Sequence, residues 1–191
     1  MKKIILAGFG YLGKFIEQQA GFNEKKLLYK LSRNPDKHRN GFGKHVEVDF
    51  DKEEFDITEI LDESTIIYMA PPNKDRDRDP RLENFLNNTK KSNIEKIVYI
   101  STSGVYGDCD GSSVTENAEL KPLTNRAKKR VVAEKMIMEY SAVNNTNYVI
   151  LRVPGIYGLG RLPLSKIRER EPLVIKDECK ITNLINVEDL A

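Results

Sequence analysis

The chain has 191 residues, 39% of them apolar and 31% charged, with a formal net charge of +2. That length holds one domain with a sizeable core, and the near-neutral balance gives no reason to expect a nucleic-acid partner or an acidic membrane surface. The apolar run Ile4–Ala7 meets glycines too soon for a secretory signal, and no window approaches the ~20 apolar residues of a membrane span. Cys109 and Cys179 follow no metal or redox spacing. They fit a reducing compartment, so a cytoplasmic protein without a metal site is expected.

In chain order, KIILA (Lys3–Ala7) predicts a buried strand, followed by glycines and a helix from Tyr11 to Ala20. KLLYKL (Lys26–Leu31) predicts a second strand, His45–Val48 a short third, and Glu53–Leu61 a helix. TIIYMA (Thr65–Ala70) reads as a fourth strand closed by Pro71 and Pro72, and NKDRDRDP (Asn73–Pro80) as a solvated charged loop. Helical spacing of Leu82, Phe85 and Leu86 marks Arg81–Lys91. KIVYI (Lys96–Ile100) is a fifth strand, Arg126–Tyr140 the longest helix, and YVILRV (Tyr148–Val153) a sixth strand. Continuous Val- and Ile-rich strands separated by helices predict a parallel sheet covered on both faces. The expected fold is α/β, a doubly wound parallel sheet with strand order 3-2-1-4-5-6.

The first turn reads Gly8-x-Gly10-x-x-Gly13, directly after a strand and opening a helix. Gly8 permits the tight turn, Gly10 lets the backbone approach a pyrophosphate, and Gly13 allows close helix–strand packing. The helix N-terminus offers free N–H groups to the phosphates. At the end of the second strand, an acidic residue favours NAD and a nearby arginine suits the 2′-phosphate of NADP. Here the chain reads Ser32-Arg33, so NADP is expected, with NAD possible. Asp49 either lies near the adenine or serves as a turn residue. His38 and His45 flank a glycine-rich turn and read as surface histidines. RAKKR (Arg126–Arg130) has a basic look, but Val131, Val132 and Met136 continue its helix into a core face, so nucleic-acid binding is not expected.

With these glycines, KIVYISTSGVYGDCDGSSVTENAELKPLTNRAKKRVVAEK (Lys96–Lys135) resembles the extended short-chain dehydrogenase/reductase family, the NAD(P)-dependent epimerases and dehydratases. The matching pieces are Ser101-Thr102, the Val105-Tyr106-Gly107-Asp108 turn, Glu116, Pro122 and Ala133-Glu134. LRVPGIYGLGR (Leu151–Arg161) and NLINVEDLA (Asn183–Ala191) are similar to later family segments. The resemblance implies a Rossmann fold with a cofactor site at Gly8, Phe9, Gly10, Tyr11, Leu12, Gly13, Ser32, Arg33, Asp49, Phe50, Ala70, Ser101 and Pro154. It also implies a Ser or Thr that orients substrate, a proton-transferring Tyr, and a Lys four residues later. Thr102 takes the first place. Counting back from Ala133-Glu134, Arg126 and Arg130 fall on the Tyr and Lys places, and none of the eight tyrosines has a lysine four residues on.

Arginine, with a pKa above ~12, cannot transfer that proton near neutral pH. At i and i+4 the two arginines share a helix face and would hold a substrate carboxylate or phosphate. The alternative is a solvated ladder of Arg130 with Glu134. Tyr106 is the nearest substitute acid, or a structural turn residue. The expected division is an NAD(P)-binding domain over residues 1–160 and an incomplete substrate-binding lobe over 161–191. The expected activity is redox chemistry or epimerisation on a sugar-like or hydroxylated small molecule, the alternative a non-catalytic NADP(H) sensor. The apolar edge YVILRV invites pairing, and a homodimer is possible.

Overall fold

A computed structural model describes residues 2–19, 27–34, 41–73, 78–162, 164, 168–169 and 182–191. His38 and Cys179 lie outside the described residues, as does most of the charged loop after Asn73. The apolar runs become parallel strands: β1 Lys3–Ala7, β2 Leu27–Ser32, β3 Lys44–Glu47, β4 Ser64–Tyr68, β5 Lys96–Thr102 and β6 Asn147–Val153. Their order is β3-β2-β1-β4-β5-β6, as the sequence predicts. Central β1 is bonded on both sides, Ile5 facing Tyr29 of β2 and Ile66 of β4.

Alternation along each strand feeds two cores, one on each face. Ile5 and Ala7 join Ile66, Tyr68, Ile97 and Tyr99 beneath α2 (Thr58–Leu61), α3 (Pro80–Thr89) and α4 (Asn125–Asn144). On the other face Leu6 and Leu28 pack with Leu12 and Ile16 of α1 (Tyr11–Gln18). The first face carries an aromatic row in which Tyr68 stacks between Phe50 and Tyr99 at 5.9 and 6.0 Å.

The predicted helix Glu53–Leu61 forms only over its last turn, Thr58–Leu61. Asn88 of α3 captures the rest: its side chain accepts from Phe55 N–H and donates to the Glu53 carbonyl. Asp56 then takes the Thr58 N–H and hydroxyl, so the helix starts after it. The long helix α4 is capped by Thr124, whose hydroxyl accepts from Ala127 N–H at 3.2 Å. It ends at Asn145 in the left-handed region, φ 51°. Beyond β6 the sequence reading missed a small parallel pair, β7 (Gly155–Tyr157) with β8 (Leu184–Asn186); the short helix α5 (Val187–Leu190) follows β8. Val187 is fully buried in the α1 core, so this segment lies back on the sheet domain. Among the described residues, no helix is long and apolar enough to cross a membrane.

Candidate functional site

The site lies at the C-terminal ends of the parallel strands, where the open α/β sheet leaves a crevice. Gly8 has φ +85°, and a Cβ there would lie 2.6 Å from Ala70 N, so both conformation and contact require glycine. In front of Gly10 the space is open, its nearest neighbour being the Gly8 carbonyl at 3.8 Å. At Gly13 a Cβ would press on the Phe9 ring at 2.8 Å. Gly10 is the N-cap of α1 and supplies no side-chain cap, so the first-turn N–H groups keep their donor capacity.

Two clefts meet at this turn. The smaller, about 220 Å³, is lined by Gly8, Phe9, Gly10, Ser32, Arg33, Val48, Asp49, Phe50, Ala70, Pro71 and Arg81. The Ser32 hydroxyl bonds His45 Nε2 at 2.8 Å, which makes His45 a half-buried support for β2 and not a surface histidine. Asp49 accepts from Asp51 N–H, ordering the turn after β3. Asp51 is the centre of charge here: Arg81 grips it at 2.7 and 2.8 Å, and the exposed Arg33 reaches it at 3.4 Å. The hydrogen bond from Arg81 holds the Asp51 carboxyl below its usual range, against a smaller opposing effect of burial.

The larger cleft, about 600 Å³, brings together Gly10–Gly13, Ser101, Thr102, Arg126, Arg130, Pro154 and Arg161. Of the four predicted catalytic residues it gathers three, Thr102, Arg126 and Arg130. Thr102 ends β5, and its hydroxyl accepts from Gly104 N–H at 3.3 Å. Arg126 is exposed and without an ion-pair partner among the described residues. Arg130 is only 5% exposed and donates through Nη1 to the Tyr99 hydroxyl at 2.7 Å. Burial pushes Tyr99 up to about 12, although Arg130 pulls it down.

The ladder of Arg130 with Glu134 does not form. Glu134 turns to Arg152 at 2.9 Å and accepts from the Ser101 hydroxyl. Tyr106 stands outside the cleft lining, its hydroxyl accepting from Arg152 Nη1 at 2.9 Å. Arg152, raised above the ordinary arginine value by Glu134, therefore ties β6, α4 and the turn after β5 together. Sequence reasoning missed Arg81, Asp51, Arg152 and Arg161. The YGLGR run was visible, but its closeness to Tyr11 depends on a chain path that no local pattern encodes. No group of three His, Cys, Asp or Glu among the described residues could hold a metal ion.

The UDP-glucuronic acid 4-epimerase of Bacillus cereus, solved with UDP-glucuronic acid and NAD, matches the fold with a TM-score of 0.80 at 18% identity, over 100% of this chain and 70% of that one. A functionally unknown conserved protein from Silicibacter pomeroyi DSS matches with a TM-score of 0.78 at 26% identity, over 100% of this chain and 65% of that one. The uncharacterized UDP-glucose epimerase YtcB of Bacillus subtilis is 33% identical over 82 residues, 43% of this chain and 26% of the relative. The matched stretches span 19% to 39% of the curated relatives' own lengths. Residues 4–177 match the NAD dependent epimerase/dehydratase family. Strand order, glycine turn and this match over most of the chain agree: the protein belongs to the NAD dependent epimerase/dehydratase family.

Proposed function

We propose that the chain binds an NAD(P) dinucleotide along the C-terminal edge of its sheet. It would act there on an anionic, sugar-like small molecule by redox or epimerisation. The observation that carries this is the meeting of the two clefts at the uncapped first turn of α1. The smaller cleft has the setting for an adenosine half, the glycine turn for a pyrophosphate, and the larger cleft for a nicotinamide beside Thr102. Open space before Gly10 supports the close backbone approach. When bound, the cofactor supplies the hydride donor and acceptor.

The protein's own groups have separate tasks. The Thr102 hydroxyl accepts from Gly104 N–H and keeps its own proton to donate to a substrate oxygen. Arg126 offers a planar fork to a carboxylate or phosphate, and Arg130, held by Tyr99, adds fixed positive charge beside it. The UDP-glucuronic acid bound by the Bacillus cereus enzyme is an anionic sugar nucleotide of the kind such a cleft would take. Arg33 and Arg81 favour a 2′-phosphate, while Asp51 between them opposes one, so NADP preference turns on whether Arg33 releases Asp51.

A second reading, a dinucleotide sensor without turnover, draws support from the placement of Tyr106. With its hydroxyl on Arg152 and two arginines at the places where the family keeps Tyr and Lys, the larger cleft offers no counterpart of that Tyr–Lys pair among the described residues. Fluorescence titration with NADPH and NADH is expected to show binding, and Arg33→Ala to weaken NADPH by roughly tenfold while sparing NADH. Binding of neither coenzyme refutes the cofactor site. In assays with UDP-sugars, Thr102→Ala is expected to abolish turnover at unchanged coenzyme affinity. A wild type that binds coenzyme but converts no UDP-sugar favours the sensor.

A further inference from the structure

Arg161 lies on the rim of the larger cleft, outside the roles given above. The chain delivers it there on a firm path. Gly155–Tyr157 pairs with β8, and Gly155 N–H donates to the Asn183 carbonyl at 3.1 Å. Gly158 then passes between Val187 and Tyr11 at φ +146°, where a Cβ would lie 2.6 Å from Val187 Cγ1 and 3.0 Å from the Tyr11 hydroxyl. That hydroxyl donates to the Leu159 carbonyl at 2.9 Å, and Arg161 N–H donates to the Gly158 carbonyl at 3.0 Å, turning the chain back. The Arg161 guanidinium consequently stands 3.9 Å from the centre of the Tyr11 ring.

We propose that Arg161 binds the pyrophosphate of the dinucleotide, clamping it against the first turn of α1. The proposal rests on the NAD(P) reading and goes beyond it by assigning a residue outside the glycine turn. Stacking on an aromatic face fixes a guanidinium plane and leaves its N–H edges for an anion. The charge is available: Arg33, Arg81 and Arg152 each face a carboxylate, whereas Arg161 has no ion-pair partner among the described residues. Among the described residues that line the cleft there is no carboxylate. Location selects the pyrophosphate over the substrate. Tyr11 is the first residue of α1, next to the uncapped amides, whereas Arg126 and Arg130 lie on α4 and Thr102 ends β5.

The test is calorimetric titration of the full chain with ADP-ribose, which carries the pyrophosphate but no nicotinamide, at low and moderate salt. Arg161→Gln and Arg161→Met are each expected to weaken ADP-ribose roughly tenfold and to flatten the salt dependence, with Arg161→Lys recovering part of the loss. Binding within twofold of wild type in the Gln and Met variants overturns the clamp and leaves the cofactor reading intact. An equal loss in all three variants, Lys included, also overturns it, because packing and not charge is then responsible. A wild type that binds neither ADP-ribose nor NAD(P)H overturns both.

Discussion

Asp79 caps α3 through one carboxylate oxygen, which accepts from Leu82 N–H, and its other oxygen is buried without a partner among the described residues. Burial raises its pKa, the Leu82 bond and the charges of Arg130 and Arg81 opposing less strongly. A carboxyl raised in the folded state contributes fully below its unfolded value, and that contribution is lost as pH rises through the folded value. Asp79→Asn keeps a cap and removes the charge, so its melting temperature is expected to exceed wild type at pH 7, the gap closing below about pH 4. Asp51 is the opposite case. Held low by Arg81, its contribution is present at neutral pH and lost as pH falls through its folded value. Asp51→Asn is expected to melt below wild type at pH 7 and to converge with it in acid. Thermal melts of both variants from pH 3 to pH 8 would read the two opposite slopes; parallel curves would refute these assignments.

Between elements, the junction of α1 with β2 is held by a buried ion pair. Lys30, 2% exposed, reaches Glu17 at 2.8 Å and stands 5.1 Å over the Phe9 ring of the glycine turn. Removing one partner leaves a buried charge, at a cost of about 3–5 kcal/mol, whereas replacing both with apolar groups of similar volume is often neutral. Lys30→Met is therefore expected to destabilise strongly in urea denaturation, and Lys30→Met with Glu17→Leu to recover most of the loss. If the double variant is no better than the single, the pair is not the cause. Lys30 also shows where the sequence became opaque. KLLYKL was legible as a strand because its apolar residues dominate, but nothing local says that its second lysine is buried. Likewise the helix at Glu53–Leu61 failed because Asn88, distant in sequence, captures its backbone. The glycine turn was legible because strand, turn and helix are adjacent in sequence. The grouping of Thr102, Arg126 and Arg130 came from family spacing, while Asp51 with Arg81 and Tyr11 with Arg161 join elements that only the folded chain brings together.

At the scale of the molecule, the glycine turn, Ser101-Thr102 and Pro154 of the proposed site stand at the ends of parallel strands, and β1 is the strand on which the glycine turn is mounted. β1 lies in the middle of the sheet, with Leu6 and Ile5 fully buried. Its amides are expected to exchange with deuterium only through global unfolding, while those of β7 and β8, a pair of three-residue strands, exchange by local opening. Equal protection in both sheets would refute that ranking. Position in the sheet also sets an order of assembly. Synthesis makes β1 before either neighbour, and its β4 partner starts only at Ser64. β2 can cover one edge of KIILA early, but the other edge stays open until that distant segment emerges, and such non-local parallel pairings form slowly. A fragment ending before Ser64 would keep all three glycines of the turn and still lack the floor against which Gly8 is pressed, so the motif is complete long before the site is.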